Sequence, residues 1–249
     1  MIAILSDIHG NLEALQAVLD DVSRMQADTI ICLGDVIGYG PDPIPCLELA
    51  MTWETVLRGN FDDALLQDRE LKDWMPRLQK MIEQLREEVA QHPNGKRITN
   101  FLTTCSTIHF DNGTMFVHGS PRDHLHEYIF PEHVYEPQKM ADVFQMFDQL
   151  CFCGHTHVAG IFTTGTNKEW HYISPAECDF TYVLKGDQVL CNVGSVGQPR
   201  DSDPRACYVL FDGGTITFRR IDYDIDTTIR KVHSSDDDDM QGDRLRVGR

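Results

Sequence analysis

Five short apolar runs in this chain each end on the same kind of polar cluster, in which Asp, His or Asn stands beside glycine. Ile2-Ala3-Ile4-Leu5 runs into Ser6-Asp7-Ile8-His9, Thr29-Ile30-Ile31-Cys32-Leu33 into Gly34-Asp35, and Thr55-Val56-Leu57 leads to Gly59-Asn60-Phe61-Asp62. Thr114-Met115-Phe116-Val117 runs into His118-Gly119, and Leu150-Cys151-Phe152-Cys153 into Gly154-His155-Thr156-His157. Short apolar runs bounded by glycine read as buried strands. In an open α/β sheet, ligands gather beyond the carboxyl ends of the strands, so five such ends can converge on one crevice. Core packing has no use for Asp, His and Asn there, because a buried polar group needs a partner. The pattern restricts the chain to an α/β fold with a polar site at its strand ends, which favours an enzyme.

The residues between these runs supply the connections. Leu12, Leu15, Val18, Leu19 and Val22 recur at helical spacing behind Asn11, a natural N-cap, and the strand at 29–33 completes a βαβ unit. A short helix is expected over 41–51, with Pro41 or Pro43 near its start, and another over 137–148. Leu65, Leu66, Leu71, Trp74, Leu78, Met81, Ile82, Leu85 and Val89 form an inward stripe, so a helical insertion is expected at about 63–104. Packing is its first role and a substrate-selecting cap its second. From 158 onward the period becomes two, with strands expected at 158–163, 169–173, 180–184, 189–193, 207–211 and 216–221 and a turn at Asp212-Gly213-Gly214. These predict a second, mainly antiparallel sheet.

Composition narrows the setting. At 249 residues the chain can bury one sizeable core, taken as a single domain over 1–233. Residues 234–249, with Asp236-Asp237-Asp238-Asp239, carry few apolar side chains and are expected to form an acidic, weakly packed tail. A net charge of −17 argues against long nucleic acid or an anionic membrane as partner. The chain has no run of about eighteen apolar residues and opens directly on a strand, so a cytoplasmic protein is expected. The eight cysteines include no Cys-x-x-Cys pair and mostly sit in apolar runs, the pattern of buried free thiols.

The ordered set Asp-x-His, Gly-Asp, Gly-Asn-x-Asp, His-Gly and Gly-His-Thr-His, over residues 7 to 157, resembles the calcineurin-like metallophosphoesterase superfamily. It is most similar to the small bacterial phosphodiesterase-like branch, and the stretches at 6–11, 34–41 and 192–200 extend the likeness over about residues 1–222. The resemblance implies a four-layer α/β/β/α sandwich of two mixed sheets flanked by helices. It also implies two divalent cations, Mn, Fe, Co, Ni or Zn, bridged by Asp35. Asp7, His9 and His157 would complete one cation site, and Asn60, His118 and His155 the other. A small phosphate ester would then be hydrolysed by hydroxide held between the ions, with a diester preferred. Singly, Asp7 and Asn60 also fit helix caps, Asp35 a turn, and each histidine a structural group; their order and shared placement separate the readings.

One position departs from the family pattern. Many members carry histidine where this chain has Phe61, and a phenyl ring can neither hold phosphate nor protonate a leaving group. The same departure occurs in a scaffold member of the superfamily, so a catalytically silent interaction protein is the alternative. A phosphomonoesterase or dinucleoside polyphosphate hydrolase is a further one. Candidate substrate contacts are Asn11, Arg58, Ser195 and Arg200, with Asn11 equally suited to capping and Arg200 to pairing with Asp201 or Asp203. Asp62, which would orient the missing histidine, is expected to pair with Arg58. Tyr39 suits either stacking or packing, and His124, His126 and His133 read as solvated loop residues. Oligomeric state is left open.

Overall fold

The computed structural model describes residues 1–67, 70–165, 169–235 and 239–249. Two six-stranded sheets form its centre. The first has the order β3 (Thr55–Val56), β2 (Thr29–Cys32), β1 (Ile2–Leu5), β11 (Ala206–Phe211), β12 (Thr215–Ile221), β9 (Thr181–Val183). The second has the order β4 (Ile108–Asp111), β5 (Thr114–Val117), β6 (Leu150–Cys153), β10 (Val189–Asn192), β7 (Gly160–Thr164), β8 (Trp170–Ile173). Each sheet contains one parallel trio. Leu5 of β1 stands opposite Cys32 of β2, which stands opposite Val56 of β3. Leu150 of β6 stands opposite Thr114 of β5 and Val189 of β10.

Because strands covered on both faces lose the polar alternation, β1, β2, β5 and β6 read as continuous apolar runs. Ile4, Ile31, Val209, Phe116, Phe152, Ile161 and Cys191 fill the space between the sheets, and the Phe116 and Phe152 rings stack at 5.4 Å. Ala3 and Leu5, on the opposite face of β1, pack with α1 (Leu12–Arg24), α2 (Pro43–Ala50), α3 (Asn60–Leu66), α4 (Pro76–Gln91) and α5 (Gly95–Thr104). On the far side α6 (Pro137–Phe144) lays Met140, Val143 and Phe144 against Met115, Val117, Cys151 and Cys153. The result is the four-layer sandwich that the resemblance implies. Its cysteines are free, and all but Cys178 are buried. Among the described residues no helix is long and apolar enough to cross a membrane.

Three expectations are corrected. The strands after 158 build no sheet of their own, because β9, β11 and β12 extend the first sheet while β7, β8 and β10 extend the second. Alternation reports which face of a strand is covered and says nothing of its neighbour. The helix expected over 137–148 ends at Phe144. The tail is not uniformly loose: α7 (Ile225–Ser235) is followed by α8 (Asp239–Val247), Leu245 is only 7% exposed, and Ser202 N donates to Gly248 O at 2.9 Å. Asp236, Asp237 and Asp238 lie outside the described residues.

Candidate metal centre

The carboxyl ends of β1, β2 and β3 meet those of β5 and β6 at one rim of the sandwich. There Asp7, His9 and His157 form one cluster and Asp35, His118 and His155 a second, each with its donor atoms within 4.8 Å of one another. Asp7 Oδ1 lies 3.6 Å from His9 Nε2 and 3.2 Å from His157 Nε2. In the second cluster His118 Nε2 is 3.1 Å from His155 Nδ1 and 3.1 Å from Asn60 Oδ1. Asp35 Oδ2 sits 3.4 Å from His118 Nε2 and 3.8 Å from His9 Nε2, so one carboxylate oxygen faces both clusters. All seven residues are buried.

Tautomers test whether cations fit. His9 Nδ1 is 3.0 Å from Ile37 O and His157 Nδ1 is 2.6 Å from Gln198 O. A carbonyl only accepts, so in the neutral rings both protons sit on Nδ1 and both Nε2 lone pairs face inward. Those nitrogens are 3.0 Å apart and face Asp7 Oδ1, which has no hydrogen-bond donor. His155 is turned the other way, with Nε2 at 3.3 Å from His126 O and Nδ1 facing His118. Converging lone pairs and a bare carboxylate oxygen repel one another unless a cation lies among them, so the donor set fits the two ions. A mixed oxygen and imidazole shell suits borderline divalent metals.

The backbone is bent to make this convergence. Asp7, His9, Asp35, His155 and His157 have φ of 54°, 49°, 52°, 66° and 62°, the left-handed region that costs a non-glycine residue about 1–2 kcal/mol. Hydrogen bonds between motifs offset the strain. His9 N donates to Asp35 O at 2.9 Å, His155 N to Asp7 Oδ2 at 2.9 Å, and Phe61 N to Asp35 Oδ1 at 2.8 Å. Asn192, at the end of β10, donates to Gly154 O and Thr156 Oγ1 and so holds the histidine turn. Gly59 and Gly154 permit the close approach: a Cβ on the first would lie 2.1 Å from Asp35 Oδ1, and on the second 2.1 Å from Ser6 Oγ.

Charge is concentrated accordingly. Burial opposes protonation of His118, but Asp35 and then Asp7 outweigh it and carry this imidazole up to about 9. Burial followed by the neighbouring His118 pushes His155 down to about 3, and burial takes His157 to about 4 against the pull of Asp7. Asp7 is lowered well below the carboxylate range, because the facing histidines overcome its burial.

The sequence-based substrate contacts fare unequally. Asn11 caps α1 through Ala14 N, donates to Gly197 O at 2.9 Å and accepts from Thr228 Oγ1, which leaves it a structural latch. Ser195 Oγ donates to Asp7 O and accepts from Gln198 N, so it braces the first motif. Arg58 pairs with Asp63 at 3.0 Å and not with Asp62, whose carboxylate accepts the amides of Val36, Ile37 and Gly59. Arg200 pairs with neither acid beside it: Asp201 binds Arg220 and Asp203 binds Arg205, while Arg200 bonds Gln198 and lies 5.4 Å over the Tyr39 ring. Phe61 packs edge-on against His9 and Trp74. Sequence reasoning missed Tyr128, which stacks on His155 with centroids 3.8 Å apart. Its only signal was an aromatic in the loop after His118.

A doubly layered sheet core with two oxygen–imidazole clusters at its strand ends, one carboxylate oxygen facing both, is the arrangement of the metallophosphoesterase class of fold. Residues 1–215 match the calcineurin-like phosphoesterase superfamily domain, and the chain belongs to that superfamily. It is 34% identical over its whole length to an uncharacterised protein of Methanocaldococcus jannaschii, covering 98% of that protein. A metallophosphoesterase crystal structure from Sphaerobacter thermophilus matches all of this chain and 99% of its own, with a TM-score of 0.80 and 32% identity. A hypothetical protein from Pyrococcus horikoshii shares the fold at a TM-score of 0.75, 18% identity and 99% coverage.

Proposed function

We propose that this protein is a binuclear metal-dependent phosphoesterase whose substrates are small phosphodiesters. The carrying observation is the place of Asp35 Oδ2 between His118 Nε2 and His9 Nε2, which lets one carboxylate serve two cations. When bound, such a pair supplies hydroxide near neutral pH and neutralises charge developing on phosphorus. The protein's own part is to fix the donors. Ile37 O and Gln198 O set the tautomers of His9 and His157, and Phe61 N holds Asp35 Oδ1 so that Oδ2 faces the ions.

Diester preference rests on Phe61. Its ring is wedged among His9, Tyr39 and Trp74 and offers no proton to a departing alkoxide. Losing a general acid costs about 10²–10⁴ in rate, and most where the leaving group is poor. Hydrolysis of bis-p-nitrophenyl phosphate and of p-nitrophenyl phosphate, each with Mn²⁺, Co²⁺, Ni²⁺, Zn²⁺ and Fe²⁺, tests the proposal. Faster turnover of the diester is expected, and equal or faster turnover of the monoester would defeat the diester claim.

A further inference from the structure

Above the metal centre the loop after His118 folds back on itself. Ser120 N donates to Asp123 O at 2.8 Å, Asp123 Oδ1 accepts from Leu125 N and His126 N, and Ser120 and Arg122 both bond Glu127. This fold presents His126 O to His155 and brings the ring of Tyr128 over the His155 imidazole at 3.8 Å and 20°. Phe130 lies parallel to Tyr128 at 5.4 Å, and Lys139 Nζ donates to Tyr128 O at 3.3 Å, so backbone and ring are both held. Yet Tyr128 remains 41% exposed. Stacking therefore leaves part of a clamped ring in contact with solvent.

Arg200 lies 5.4 Å over the Tyr39 ring, whose centroid is 4.8 Å from that of His9 in the other cluster, and the charges of Arg200, Asp35 and Asp7 reach the Tyr128 hydroxyl. Arg200 N is tied to His157 O at 3.0 Å and its Nη2 to Gln198, while its buried Nε has no hydrogen-bond partner. A phenol on a ring stacked against His155 and a guanidinium on the residue bonded to His157 O thus stand beside one cluster each. An anion held between them would meet a donor from each, and Phe61, the residue at the family's histidine position, contributes none.

Building on the phosphoesterase reading, we infer that the Tyr128 hydroxyl is a phosphate-binding group that works with Arg200, together replacing the substrate contact that Phe61 cannot make. Tyr128 keeps its proton and donates a hydrogen bond to a non-bridging phosphate oxygen; Arg200 donates to the same phosphate from beside the other cluster.

Tyr128→Phe keeps the ring on His155 and removes only the donor. Metal content should stay at the wild-type value, while the dissociation constant of inorganic phosphate for the metal-loaded protein, read by calorimetry, rises about ten- to a hundred-fold. Arg200→Gln should weaken phosphate similarly, and the double variant should lose less than the product of the two, because both donors serve one anion. Where the wild type turns over diesters, Tyr128→Phe should lower kcat/KM by a comparable factor. Unchanged phosphate affinity in Tyr128→Phe, strictly independent effects of the two substitutions, or loss of metal from Tyr128→Phe would each overturn the inference. A wild type inert on every ester would defeat the phosphoesterase reading alone, since phosphate affinity still decides the role of Tyr128.

Discussion

Asp35 Oδ2 faces both candidate clusters while its Oδ1 is held by Phe61 N, so the proposed binuclear centre rests on this residue. Asp35→Asn should lower bound metal to less than half of the wild-type content and turnover by about 10² or more, measured by elemental analysis and ester hydrolysis. A silent scaffold would show no turnover to lose and would keep its partner binding. Phe61→His tests the opposite change: turnover of diesters with poor leaving groups should rise by about ten-fold or more, with little effect on activated esters. A third prediction concerns protons. His118 is raised from 6.5 to about 9 in the metal-free protein, so it stabilises that fold fully below about pH 6.5 and loses this contribution as pH rises through 9. A ligand must be deprotonated, so metal loading near neutral pH should release about one proton from His118, fading above pH 9. Calorimetry in buffers of different ionisation enthalpy reads this directly, and a release constant across that range would count against it. Sequence sufficed to name the seven residues that the fold brings together at the strand ends, because their types stand out after apolar runs. It could not separate a substrate-facing Asn11 from a latched one, since one side chain offers the same atoms to a phosphate or to Gly197 O and Thr228.

At the scale of elements, legibility followed burial. β1, β2, β5 and β6 are covered on both sides, and an uninterrupted apolar run has few other readings. β4, at the sheet edge, has no fully buried position, with Ile108, His109 and Asp111 half-buried and Phe110 exposed, and gave no such signal. α8 was missed for a related reason: its strongly polar sequence docks through few apolar positions, among which buried Leu245 lines a small cavity together with Val232, Thr228, Gly197 and His9. Leu245→Ala should therefore cost about 2–4 kcal/mol in urea unfolding although only four residues follow it. A cost below about 0.5 kcal/mol, the scale of surface changes, would restore the picture of a loose tail.

Across the whole molecule, a net charge of −17 coexists with two buried candidate cation clusters, and cations held there would supply the local positive charge that a phosphate needs. Neither cluster belongs to one sheet. Asp7 and His9 follow β1 while their companion His157 follows β6, and Asp35 and Asn60 follow strands of the first sheet while His118 and His155 follow strands of the second. Ligands that bind only the folded state stabilise it by about 2.7 kcal/mol at a hundredfold excess over Kd. Chelation should therefore lower the melting temperature by several degrees and restored metal should recover it, as calorimetric scans would reveal; an unchanged midpoint would mean that the sheets hold without ions. Because every complete cluster needs residues that lie more than a hundred positions apart or on opposite sheets, a nascent chain that has emerged only as far as Cys105 possesses no finished socket for either ion. A cation at either cluster would then require the second half to have been made and closed against the first, so that uptake would mark a finished chain.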